Sequence, residues 1–274
     1  MTVRGGTPQP ERQLLVTSGY REFAPSDKLR PFVECFWTRD PLIGVREPSS
    51  PPIHRVLPDG CIDVVLGFSG RADEPESAMA VGTMTRALIL DAATSPECYV
   101  GVRFRPGKAA AFLSVPANEL TDLRVSLDDV WADAADVREV LALSTDAVER
   151  IRALERVLIA RMEPNLVMHH DVDEAVRRIV EAGGSLGITR LAPALGVTRQ
   201  HLARRFSQLV GVSPKTFARV VRLGRVIERV RAVPAAESIN WSTLAVELGY
   251  YDQAHLIDEF RELTGVSPTS WLRE

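Results

Sequence analysis

Between Thr198 and Phe206 the chain reads Thr-Arg-Gln-His-Leu-Ala-Arg-Arg-Phe. Leu202 and Phe206 are four apart and would share the inner face of a helix, which leaves Gln200, Ala203 and Arg204 together on another face at i, i+3, i+4. An arginine in that position has definite chemistry, because its planar guanidinium donates two parallel hydrogen bonds that match guanine O6 and N7. Arg199 and Arg205 flank this face and suit phosphate oxygens. Thr198 stands where an N-cap would satisfy an orphan backbone N–H, so the spacing predicts a helix beginning at residue 199.

This stretch lies inside a pattern that occurs twice: LAPALGVTRQHLARRFSQLVGVSP from Leu191 to Pro214, and LAVELGYYDQAHLIDEFRELTGVSP from Leu244 to Pro268. In each copy a short apolar helix ends at a glycine, Gly196 or Gly249, and a second helix follows within a few residues. That is a helix-turn-helix written twice; the second helix of such a unit is shaped to enter a DNA major groove. Ser213-Pro214 and Ser267-Pro268 each place an N-cap serine before a proline at the first helical position, a strong helix start. A helix over residues 214–231 would be about 27 Å long. It would space the two units against major grooves that recur every ~34 Å, so a tilt or a bent duplex would help both engage.

The tandem arrangement, the LG…Q…HL…F spacing and the twin GVSP closures resemble the AraC/XylS family of transcription regulators over residues 171–274. The resemblance places the base-reading positions on Gln200, Ala203 and Arg204. It implies double-stranded DNA as partner, and admits RNA polymerase, a small-molecule effector and a second copy of the chain. In the second unit Gln253, Ala254, His255, Ile257 and Asp258 occupy the corresponding surface, with Leu256 and Phe260 as anchors. Where the family commonly has a basic residue this chain has Asp258, followed by Glu259, so contact by this helix is expected through Gln253 and His255 first. The segments RVLPDGCIDVVL and GVRFRPGKAAAFL are similar to an uncharacterised sensor-like domain often joined to such C-termini. In the family, an N-terminal β-barrel binds an effector or mediates dimerisation.

The net charge of -3 over 274 residues is not that of a generally basic nucleic-acid binder. Its distribution is more telling. Residues 171–231 carry twelve Arg and Lys against five acids, whereas residues 232–274 carry two against seven, so the electrostatic footprint belongs to the first unit. Cys35, Cys61 and Cys98 are odd in number and contain no C-x-x-C spacing, which argues against a disulfide framework or a zinc knuckle. No run is apolar and long enough to span a bilayer and the N-terminus lacks a signal core, so a cytoplasmic location without a membrane partner is expected.

Short apolar segments at 32–38, 54–57, 61–68, near Val81, near Leu88 and at 99–104 are separated by Pro, Gly, Asp and Ser, as strands with turns require. After Pro106 the periodicity becomes helical, most clearly over Thr145–Met162. The expected fold class is α+β. An N-terminal β-barrel or sandwich with trailing helices (19–162) follows a disordered tail (1–18). A linker (163–170) then leads to an all-α domain of two helix-turn-helix units (171–274), opened by a capping box of Asp171 and Glu174. Other features carry bland readings. His169-His170 is a solvated hinge, Cys61 a core thiol, Asp128-Asp129 an early-helix charge, and Trp37 and Trp131 either pocket walls or core. No catalytic residue, metal ligand or cofactor is indicated. Two rival functions stand beside the regulator. A cupin-like metal enzyme with a helical targeting module would need clustered histidines, and only His54 precedes the linker. A protein-interaction regulator without direct DNA binding is motivated by the acidic second unit.

Overall fold

The computed structural model describes residues 19–40, 54–68, 75, 77–90, 98–144, 146–162, 169–233 and 239–273. The expected tail and all but the end of the expected linker lie outside them. The N-terminal half contains strands β1 (Tyr20–Phe23), β2 (Val33–Arg39), β3 (His54–Val56), β4 (Ile62–Phe68), β5 (Ser77–Val81), β6 (Leu88–Leu90), β7 (Cys98–Phe104) and β8 (Arg124–Ser126). Six of them form an antiparallel sheet in the order β1-β2-β7-β4-β5-β8, while β3 pairs with β6 separately.

Alternation along the strands decides what each face does. Phe36, Val64 and Val102 share one row, and Leu66 lies opposite Val100 in the next, so this face is continuously apolar and buried. Helices α1 (Ala134–Ala142) and α2 (Ala147–Arg161) cover it through Leu141, Leu154 and Leu158, all fully buried. The other face carries Trp37, laid against Gly101 across the strand pair; a Cβ there would fall 2.4 Å from the indole. Tyr20 stacks on Trp37 at 5.9 Å, and Arg103 pairs with Asp63 at 3.2 Å on the same face. The main sheet runs from β1 to β8 without pairing these two edges, so it is an open, layered sheet rather than a closed barrel.

The helical half consists of α3 (His170–Glu181), α4 (Ile188–Ala194), α5 (Arg199–Val210), α6 (Pro214–Arg231), α7 (Trp241–Glu247), α8 (Gln253–Thr264) and α9 (Pro268–Trp271). Its apolar residues form two clusters. One gathers α3, α4 and α5 around Phe206 and Phe217, whose rings lie 5.6 Å apart; the other gathers α7 and α8 around Leu256 and Phe260. Burying each such phenylalanine contributes about 1.5–3 kcal/mol. Helix α6 belongs to both, giving Phe217 and Ala218 to the first cluster and Leu223, Val226, Ile227 and Val230 to the second.

Two local expectations give way, and one strand goes unannounced. Helix α3 begins two residues earlier than the capping-box reading, with His169 at the N-cap and no side-chain cap. Asp171 is instead turned to Arg205, and Glu174 to Arg177 and Arg178, because ion pairs along and between helices compete for these carboxylates. The stretch after Pro106 opens with short 3-10 turns and the edge strand β8 before continuous helix begins at Ala134. Strand β1 has only four residues with exposed central positions, so it has no apolar run to announce it. Trp131 is core, its indole N–H donating to the Phe112 carbonyl at 2.8 Å.

Candidate nucleic-acid interface

The first unit folds as its residue types require. Helix α4 buries Leu191 and Ala192, and Gly196 then turns the chain with φ of 70°. Thr198 caps α5, its side-chain oxygen accepting from the His201 N–H at 3.1 Å. Leu202, Phe206, Leu209 and Val210 face inward. Arg199, Gln200, Ala203 and Arg204 consequently lie exposed together on the N-terminal half of the helix. That half is the part of a recognition helix that reaches base edges.

Arg205 has a different position. Its guanidinium pairs with Asp171 at 3.3 Å and contacts His169 Nδ1 at 2.5 Å, tying α5 to the start of α3. Burial, and then the Arg205 charge, lower the His169 pKa. The histidine pair is therefore not simply a solvated hinge: His169 packs against α5 while His170 starts α3 exposed.

Ion pairing thins the basic footprint. Arg177 and Arg178 share Glu174, Arg219 and Arg222 share Glu259, Arg225 faces Glu228, and Arg229 faces Glu247. Arg231 lies over the Trp271 ring at 5.3 Å. Arg190, Arg199, Arg204 and Lys215 are exposed and form no ion pair with a described residue. Two of these four flank the exposed Gln200–Ala203 face of α5.

The second unit repeats the plan with one residue more in its turn. Gly249, with φ of 77°, is followed by Tyr250 and Tyr251 before Asp252 caps α8, accepting from the His255 N–H at 2.8 Å. Tyr250 is buried beneath the Arg222 guanidinium, at 4.5 Å, whereas Tyr251 projects outward. Gln253, Ala254, His255 and Asp258 are exposed and Ile257 is half-buried. Gln253 accepts from the Ser242 hydroxyl at 2.8 Å, which fixes its amide, and His255 packs edge-on against Tyr250 at 5.4 Å. Of the two acids that break the family pattern, only Asp258 faces outward. Glu259 is 5% exposed and held by Arg219 and Arg222. Sequence reading did not foresee this network, although arginines three apart on α6 were its signal.

Elsewhere, burial pushes Cys61 well above the usual thiol range and Cys98 up to about 11, which disfavours the thiolate at both. Asp128 is held down to about 2, first by hydrogen bonds from Arg138. No group of three or more His, Cys, Asp and Glu is arranged to hold a metal ion among the described residues. No helix among them is long and apolar enough to cross a membrane.

Two helix-turn-helix units joined through α6, following an antiparallel sheet, define the class: a DNA-binding transcription regulator. The model of a helix-turn-helix domain matches residues 191–274, and that of a domain of unknown function matches residues 21–126. The C-terminal part of the chain is thus an AraC-type helix-turn-helix domain. No curated protein matches it. Among solved structures it is similar to ToxT from Vibrio cholerae, with 9% identity, 93% of this chain and 98% of that one covered, and a TM-score of 0.41. It is also similar to unsaturated fatty acid-bound ToxT from the same organism (11% identity, 80% and 89% covered, TM-score 0.40). A third likeness is the xylose-binding transcription activator XylR (16% identity, 46% and 38% covered, TM-score 0.31).

Proposed function

We propose that α5 reads the major groove through Gln200, Ala203 and Arg204, with Thr198 and Arg199 toward phosphates and Arg205 acting as a brace. Helix α8 makes the second contact through Gln253, Ala254 and His255, with Ile257 and Asp258 at its edge. The carrying observation is that Arg199 and Arg204 stay exposed and free of ion pairs with described residues, whereas most arginines around them are paired. Unpaired guanidiniums aligned on the front of a recognition helix suit phosphate and guanine contacts.

The N-terminal half, residues 19–162, is the sensing part and responds to a small molecule; the division from the DNA-binding part falls within 163–170. The protein acts in the cytoplasm and is not an enzyme. Its regulatory output passes through DNA binding, with RNA polymerase and a second copy of the chain as further partners. Selection of bound fragments from genomic DNA, repeated with candidate metabolites, tests both halves of this reading. Recovery of no common sequence would sink base recognition, and a recovered motif whose occupancy no metabolite changes would sink the sensing role.

A further inference from the structure

The N-terminal half touches both recognition helices at the same point of the repeat. At the end of α5 the Thr83 hydroxyl donates to the Val210 carbonyl and the Thr121 hydroxyl donates to the Gly211 carbonyl, each at 2.5 Å. At the end of α8 the Ala87 N–H donates to the Leu263 carbonyl at 2.7 Å and the Arg55 guanidinium to the Thr264 carbonyl at 2.6 Å. These carbonyls lie in the last turns of the helices, where intrahelical partners run out. Gly211 and Gly265 close the two helices with φ of 95° and 81°, and both are approached from the N-terminal half. A Cβ on Gly211 would meet Thr83 at 2.8 Å, and one on Gly265 would meet Arg55 at 3.3 Å. Thr83 is fully buried in this contact. The grip is at the rear of each helix, so the front halves that face DNA stay open.

The direct connection between the units has a weak point. Helix α6 passes from the first cluster to the second between Ala218 and Leu223, and the next residue is Gly224. Nothing lies within 4 Å of where a Cβ on Gly224 would be, so no packing contact demands glycine there. A glycine inside a helix weakens it relative to alanine, because its backbone loses more conformational freedom on folding.

We infer that Thr83, Thr121, Arg55 and the Ala87 backbone are positioning groups that make the N-terminal half a splint across α6, fixing the distance and angle between α5 and α8. This rests on the reading that both helices face DNA only for its consequence, the half-site spacing; the splint itself is a statement about the protein.

Two arms test it on the full chain. Spin labels on Ala203→Cys and Ala254→Cys report the distance between the exposed faces without DNA. The intact clamp should give one narrow distribution. Thr83→Val, Thr121→Val and Arg55→Gln together should broaden it, and adding Gly224→Ala should narrow it again. Circular dichroism confirms that the variants remain folded, and single substitutions replace the triple if it does not fold. An unchanged distribution in a folded clamp variant overturns the inference.

In the second arm, two base pairs are inserted between the half-sites. The wild type should lose about tenfold in affinity, equal to ~1.4 kcal/mol, and the clamp variant less than about threefold. A clamp variant that binds a single half-site more tightly with an unchanged spacing profile would show a lock rather than a splint and overturn it. Wild-type indifference to scrambling of the second half-site would instead sink the reading of α8 as a DNA contact, with the label distances still deciding on the splint.

Discussion

The Arg219 guanidinium donates to the Glu259 carboxylate at 2.8 Å, from the middle of α6 to the inner face of α8. Arg222 joins the same carboxylate at 3.1 Å, and Arg219 reaches on to Glu262 at 2.6 Å. Glu259, the second of the two adjacent acids on α8, is thus turned inward, and it seats α8 on α6. Removing one partner of a buried pair leaves the other charge uncompensated. Glu259→Ala should therefore destabilise the protein by about 3 kcal/mol. Glu262→Ala, on the 65% exposed end of the network, should cost less than about 1 kcal/mol. Urea unfolding of both variants checks this; equal, small losses would mean that the network contributes little.

Arg204→Ala should cost about 1–3 kcal/mol on the preferred site and relax a single base position. Arg199→Ala should weaken all sequences alike and lower the salt slope by about one. Titrations on specific and random duplexes at several salt concentrations separate the two. Identical behaviour of both variants would show that the reading face has been assigned to the wrong residues.

Asp258 is exposed on α8, with Arg261 at 3.5 Å as its neighbour. If this helix lies on DNA, Asp258→Arg removes a repulsion and adds an attraction, so non-specific affinity should rise. The dependence of log K on log salt should then steepen by roughly one to two counterions. A salt slope equal to that of the wild type would take α8 off the DNA.

His169 contributes a pH dependence to the joint between α3 and α5, where His201 also lies 3.5 Å from Asp171. Its pKa is lowered by burial and then by Arg205, against the opposing pull of Asp171 and Asp173. A histidine with a lowered folded pKa binds fewer protons folded than unfolded, so its contribution to stability is complete above about pH 6.5 and is lost as the pH falls below that. Melting temperatures of the wild type should drop between about pH 7 and pH 5.5 more than those of His169→Gln. Parallel curves for the two proteins would remove His169 from the account.

The sequence by itself determined the elements that local chemistry specifies. Thr198, Ser213 and Ser267 cap the helices they were expected to cap, because an N-cap needs only a side-chain oxygen three residues before the N–H it satisfies. The apolar runs of β2, β4 and β7 announced the buried strands, and the repeated Leu, Gly and Phe anchors announced both helix-turn-helix units and the exposed Gln200–Ala203–Arg204 face. Only the tertiary structure decided which charges remain available. Whether an arginine is free depends on partners such as Asp171 for Arg205, 34 residues away, and Glu259 for Arg222, 37 residues away. The same holds for the grip of Thr83 on Val210 across 127 residues. Local propensity carries no information on such pairings, since a carboxylate three residues from an arginine and one brought beside it by folding read alike in sequence; packing alone brings the second within reach.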